Sequence, residues 1–241
     1  MKQSEGQLLA TNAYALLTSD YFSFSKTQCA VFKGIDRAVF LDKREFTGPI
    51  YTQIEEAVDF VLRNIRLGAT IDGLVRKEKY ELPPEAIREM IINAHCHRNL
   101  LDESCIQVAV YDDRLEVTSP GGLYNGLTYE EVMNGHSKIR NKGIANIFSQ
   151  MGLVEAWGSG IKRILNAAEE YGLPKPKFQE FDNMFRVELF RNSFPMINEK
   201  ENIGEASEKH RRSIGETSEV AWRTDLNDTC LLYTSDAADD L

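Results

Sequence analysis

The sequence contains no run of eighteen apolar residues, so nothing in it reads as a membrane-spanning helix. Its start also lacks a basic stretch followed by an apolar segment and a small-residue cleavage site, the layout of a secretory signal. A cytoplasmic protein without a membrane partner is expected. Cysteine is scarce: Cys29, Cys96, Cys105 and Cys230 have no C-x-x-C spacing and no Cys/His arrangement of the structural-zinc kind, so they read as reduced, mostly buried thiols. A Gly-x-x-x-x-Gly-Lys-Ser/Thr loop is missing, which excludes a P-loop motor in this chain. Positive charge is in deficit as well. The 241 residues carry a formal −9, which argues against a surface built to neutralise nucleic-acid phosphates. Much of that charge is local: from Pro195 onward eleven acidic residues stand against five basic ones, which leaves −3 for residues 1–194.

What is present is material for a sizeable core, with 42% hydrophobic residues. Residues 7–17 are apolar and read as a helix that begins abruptly, as if it were the last element of something larger. Two extended stretches, 27–33 and 38–46, flank Gly34-Ile35-Asp36 and read as a hairpin. Pro49 opens a helix whose Ile54, Ala57, Val58, Val61, Leu62 and Ile65 recur at helical spacing, with Gly68 as the stop. Short strands at 69–72 and 75–81 precede a helix over 84–98 introduced by Pro83-Pro84. Strands at 106–111 and 114–119 lead to the turn Ser119-Pro120-Gly121-Gly122. Helices follow at 128–133, 143–150 and 159–171, then strands at 177–180 and 184–190. Helices and strands fall into blocks, which favours an α+β two-layer sandwich over a doubly wound sheet. Beyond Asn192 a polar, loosely repeated Ile-Gly-Glu stretch reads as a linker, and residues 230–241 resemble a translated sequencing adapter and are set aside.

On the 84–98 helix, Glu89, Asn93 and His97 stand four apart and form one narrow stripe, while Ala86, Ile87, Met90, Ile91 and Ala94 supply the core side. A carboxamide oxygen is a hard ligand for Mg²⁺, which makes Asn93 the candidate metal ligand, and a carboxylate one turn away, Glu89, can take a proton from an attacking water. The same stripe would also serve as the solvated face of an amphipathic helix. Downstream, Gly121-Gly122 follow a strand and Gly158-Ser159-Gly160 open a helix, where unpaired N–H groups and the helix dipole attract anions. Ser137, Lys138, Arg140 and Asn141 form a polar loop that suits a phosphate or plain solvent. His97-Arg98 could reach a phosphate or cap the helix end. His95 and His97, two apart on a helix, diverge too far to share an ion. Trp157 reads as core packing.

These separated blocks (residues 84–98, 112–123, 137–141 and 152–161) resemble the C-terminal domain of RecG-related ATP-dependent DNA helicases and transcriptional regulators, a divergent relative of the GHKL ATPases. The resemblance implies a two-layer α/β sandwich of Bergerat type with a mixed sheet, preceded by a small α+β fragment. It assigns residues 1–68 to the end of a Schlafen AlbA-type domain with its connector, 69–192 to the nucleotide-binding domain and 193–229 to a linker that would lead to a winged helix-turn-helix. ATP and Mg²⁺ are the implied ligands, and DNA would be contacted through flanking domains. Glu89 takes the catalytic place. Asn93, His97, Arg98, Ser119, Gly121, Gly122, Ser137, Arg140, Asn141, Gly158, Ser159 and Gly160 take the nucleotide-binding places, with residues 128–150 as a lid. Relatives carry an Asp on the adenine amino group where this chain has Ser119, and a hydroxyl discriminates less well. The implied function is a nucleotide-sensing module of a DNA-binding regulator; a non-binding dimerisation scaffold, with a homodimer as its assembly, and an ATP hydrolase are the alternatives.

Overall fold

The two longest helices open beside proline, Pro49 just before one and Pro84 as the first residue of the other, because a fixed φ suits a helix start and the missing N–H would lack a partner there anyway. In the computed structural model, which describes residues 2–4, 7–9, 11–72, 75–154 and 159–192, β1 (Lys2–Ser4) and β2 (Gln7–Leu9) form a small antiparallel hairpin. Helix α1 (Asn12–Thr18) follows. The helix expected over 7–17 therefore begins only at residue 12, where the Thr11 hydroxyl accepts the Tyr14 N–H at 3.3 Å and caps the first turn. The hairpin expectation holds: β3 (Thr27–Phe32) pairs antiparallel with β4 (Phe40–Phe46). Helix α2 (Ile50–Asn64) buries Ile50, Gln53, Ile54, Ala57, Phe60 and Val61. It stops before Gly68 because Glu81 captures the chain: Arg66 N–H donates to its carboxylate at 2.8 Å, and Glu81 N–H donates to Arg66 O at 2.9 Å. That closes the hairpin of β5 (Leu67–Asp72) and β6 (Val75–Tyr80).

Helix α3 (Pro84–His97) is buried along most of its surface and packs against α2, β7 (Ile106–Val110) and β8 (Arg114–Pro120). Short helices α4 (Tyr129–Met133) and α5 (Lys142–Gln150) come next, then α6 (Gly160–Glu170), which packs on α3. Strands β9 (Lys177–Phe181) and β10 (Met184–Phe190) complete the fold. One six-stranded sheet runs β4-β3-β7-β8-β10-β9, with β3 and β7 parallel and every other pair antiparallel. The mixed sheet with helices packed on it is the sandwich expected.

The expected division at residue 68 does not divide this sheet. Residues 27–46 contribute two of its strands, and Leu16, Cys29, Ile54 and Phe60 share one apolar cluster with Ile91, Val117, Ile164 and Leu189. Removing about 1.5–3 kcal/mol worth of apolar surface per large side chain from water makes that shared cluster the main tie between the two parts. Residues 1–193 accordingly form one compact unit. The linker and adapter readings for residues 193–241 lie outside the described residues, as do Trp157 and Gly158.

Candidate functional site

A cavity of about 320 Å³ opens between α3, the end of β8, α5 and the start of α6. Its apolar floor comes from Val117, Phe178, Phe185 and Val187, the residues of β8, β9 and β10 that point toward the helices. Alternation along each strand sets that direction. Polar groups enter from the rim. Glu89, Asn93 and His97 line it from α3, Ser119, Gly121 and Gly122 from the end of β8, Ser137 from the loop before α5 and Gly160 from α6. Segments distant in sequence thus converge on one hollow.

The stripe on α3 is not a solvated face, since Glu89 is only 7% exposed. Asn93 Nδ2 donates to Glu89 Oε1 at 3.1 Å, and Arg163 Nη1 donates to Glu89 Oε2 at 3.2 Å. The first residue of α6 presses on the same pair: a Cβ on Gly160 would overlap Glu89 Oε1 and come 2.7 Å from Asn93 Nδ2. Only glycine lets the helix end approach the carboxylate this closely. Ser159, at the N-cap position of α6, accepts from Arg163 Nη2 at 3.2 Å and is not among the residues lining the cavity.

The turn after β8 is built in a similar way. Gly121 has φ +98° and donates its N–H to Asn183 O at 2.7 Å, while a Cβ on Gly122 would run into the Glu180 carboxylate, which accepts Leu123 N–H at 3.1 Å. Arg140 braces this turn from behind, donating to Gly122 O at 2.7 Å with its guanidinium 4.9 Å from the Tyr124 ring centre. Its role in the structure is support, not lining.

Two further residues expected at a phosphate are engaged elsewhere. Arg98 is 2% exposed and donates to Phe24 O and Ser104 O, both at 2.8 Å, tying two loops together away from the cavity. Asn141 Nδ2 donates to Cys96 O at 3.1 Å and Arg98 O at 2.7 Å, satisfying carbonyls at the open end of α3. Of the two uses the sequence left open for each, the structure shows the one that satisfies buried carbonyls: loop carbonyls for Arg98, and carbonyls at the end of α3 for Asn141. His97 lines the cavity as a weak base, because burial and then the nearby Arg140 charge lower its pKa.

Arg163, Lys142, Asn146, His136 and Tyr124 were missed by sequence reasoning, although the last four line the cavity. Lys142 and Asn146 stand four apart at the start of α5 and repeat the spacing of Glu89 and Asn93, a signal that could have found them. Arg163 carried a signal too, as a cation in the first turn of a helix that opens at a glycine. Among the described lining residues Glu89 is the single carboxylate, against Lys138 and Lys142. Lys138 Nζ also donates to Asn125 O at 2.9 Å, which ties the loop before α5 to the segment after the glycine turn.

No curated protein matches the chain. A solved structure, the DIP2311 protein from Corynebacterium diphtheriae, superposes with a TM-score of 0.63 over 73% of this chain at 22% sequence identity. That is a likeness of fold, and this chain corresponds to only 35% of that one. Nothing in these comparisons corresponds to the Schlafen AlbA-type resemblance of the N-terminal residues. The family resemblance does hold for the segment that carries both the Ser119–Gly122 turn and α6: residues 103–189 match the family model described as "Putative ATP-dependent DNA helicase recG C-terminal", so this part of the chain is similar to the ATPase-like module of RecG-related helicases.

Proposed function

We propose that the cavity binds ATP, with the phosphates toward Glu89, Asn93 and the start of α6 and the base toward Ser119 and the Gly121-Gly122 turn. The observation that carries this reading is the approach of Gly160 to the Glu89–Asn93 pair at the rim of a cavity also walled by the second glycine turn. Backbone N–H groups at a helix start, Lys138 and Lys142 give the polar rim a phosphate-accepting character, and the apolar floor suits a base.

Mg²⁺ fits this set in a limited way. Among the described residues no group of three or more His, Cys, Asp or Glu side chains could hold a metal ion. Asn93 spends its Nδ2 on Glu89, so its Oδ1 is the oxygen available to a hard cation, which takes few protein oxygens when phosphates supply the rest. Mg²⁺ would neutralise phosphate charge there.

Binding is the step that the walls of the cavity support. Glu89 Oε1 accepts from Asn93 and Oε2 from Arg163, which holds the carboxylate in place at the rim. The chain is therefore read as a nucleotide sensor, set by its family resemblance within a cytoplasmic regulator that meets DNA through other domains. Calorimetric titration with ATP and Mg²⁺ tests the reading: saturable binding that weakens in Asn93→Ala is expected. No heat with any purine nucleotide under folded conditions would contradict it and favour the scaffold alternative.

A further inference from the structure

Helix α6 carries a guanidinium where helices disfavour one. Arg163 is in its first turn, next to the positive end of the helix dipole, and that turn has no acidic residue of its own. The compensating charge arrives from another helix: Glu89 of α3, 74 residues away in sequence, accepts from Arg163 at 3.2 Å. Arg163 also holds Ser159 Oγ at 3.2 Å, so the guanidinium spans the first turn of α6 and the carboxylate beside it. Glu89 lines the cavity and Arg163 does not.

This placement creates an electrostatic problem for an anionic ligand. A carboxylate at the rim repels each phosphate that approaches, and at about 5 Å in a partly buried site such a repulsion is worth more than a factor of ten in affinity. The Gly160 contact puts Glu89 Oε1 against the very helix end that would attract the anion, so carboxylate and phosphate compete for the same backbone dipole.

We propose that Arg163 is a positioning residue that serves as the built-in counter-ion of Glu89 and decides whether this end of the cavity accepts polyphosphate. It cancels the charge of Glu89 from behind without occupying the cavity, and it fixes the carboxylate so that Asn93 stays oriented beside it. The inference rests on the nucleotide-binding reading of the same cavity and adds to it a rule for ligand charge: the effect of Arg163 must grow with the number of phosphates on the ligand.

The test is calorimetric titration of the full chain with adenosine, AMP, ADP, ATP and inorganic tripolyphosphate. Arg163→Gln is expected to weaken ATP and tripolyphosphate about tenfold or more, AMP less and adenosine not at all. Glu89→Gln is expected to act in the opposite direction and tighten ATP, and the double variant should return close to the parent, because the two removed charges are of opposite sign and cancel at the ligand. Arg163→Lys should restore most of the affinity. Thermal unfolding run alongside separates folding from binding. An equal loss for adenosine and ATP would mean a structural role only and would overturn the proposal, as would an Arg163→Gln variant that binds ATP like the parent or a double variant that binds ATP as weakly as Arg163→Gln alone. If tripolyphosphate binds with this pattern while nucleosides and nucleotides do not, the counter-ion role stands and the nucleotide reading fails. If the parent binds neither, both fall.

Discussion

Glu116 and Glu89 are both nearly lost from solvent, at 3% and 7% exposure, and both meet arginine, yet they belong to opposite faces of the sheet. Leu115 and Val117 point into the core under α3, so Glu116 between them points to the outer face. There it meets Arg114 Nη2 at 2.6 Å, Arg37 Nη2 at 3.4 Å and Arg186 Nε at 3.8 Å, with Glu188 sharing Arg114 and reaching Lys177 at 3.7 Å. Glu89 meets Arg163 beside a cavity, an amide and a helix start. The outer cluster ties β7, β8 and β10 to the Arg37 loop, whereas the inner pair belongs to a wall that a ligand can touch. A buried ion pair is therefore no sign of a site by itself; what it faces decides.

Substitutions should separate the two faces. The largest effect is expected from Glu116→Ala, which leaves three guanidiniums without their shared carboxylate. Breaking such a buried cluster costs about 3 kcal/mol of stability, read as a lower urea midpoint, while the protein that remains folded binds ATP as before. A loss of binding in step with stability would join the two faces and break the comparison.

A smaller effect should follow pH. His95 lies in the core between α3 and β3, with Nδ1 at 2.9 Å from Ile91 O and Nε2 at 3.0 Å from the Thr27 hydroxyl. Burial lowers its pKa to about 4. In the unfolded chain the ring titrates near its ordinary value, so between these values the unfolded state holds the extra proton and stability falls as pH drops from about 6.5 toward 4. The loss should reach roughly 2 kcal/mol by pH 4.5. His97, lowered for the same reason, adds in the same direction. Glu116 acts in a separate window. Burial raises its pKa, but the hydrogen bond from Arg114 and the neighbouring guanidinium charges overcome this and hold it below the usual carboxylate range. Its contribution persists above the unfolded carboxylate value and is lost only as pH falls through the depressed one. Urea midpoints that stay flat from pH 7 to 5 would contradict the His95 account.

The smallest change is expected from Asn141→Ala, about 1 kcal/mol for the lost helix-end donor, with ATP affinity changed less than twofold. A large loss of affinity there would return Asn141 to the phosphate set.

Much of this was legible in the sequence because it is local. Prolines, apolar periodicity and glycine turns set nearly every element within a few residues, and the four-residue spacing of Glu89, Asn93 and His97 marks the stripe. What could not be read depends on pairings across the chain. Nothing local says that β3 joins β7 in parallel and so draws residues 27–46 into the main sheet. Nothing local says that Arg163 meets Glu89, or that Arg98 and Asn141 serve loops and helix carbonyls. Arg98 and Asn141 were open to either use, and the need to satisfy buried backbone groups decided.

The central claim is most directly tested by mapping backbone amide NMR shifts while ATP and Mg²⁺ are added to the full chain. The account predicts changes concentrated at residues 89–97, 119–124, 136–146 and 160–164, with the strands around Arg37, Arg114 and Arg186 quiet. Saturating shifts centred on that outer cluster, or none at all at millimolar nucleotide, would contradict it.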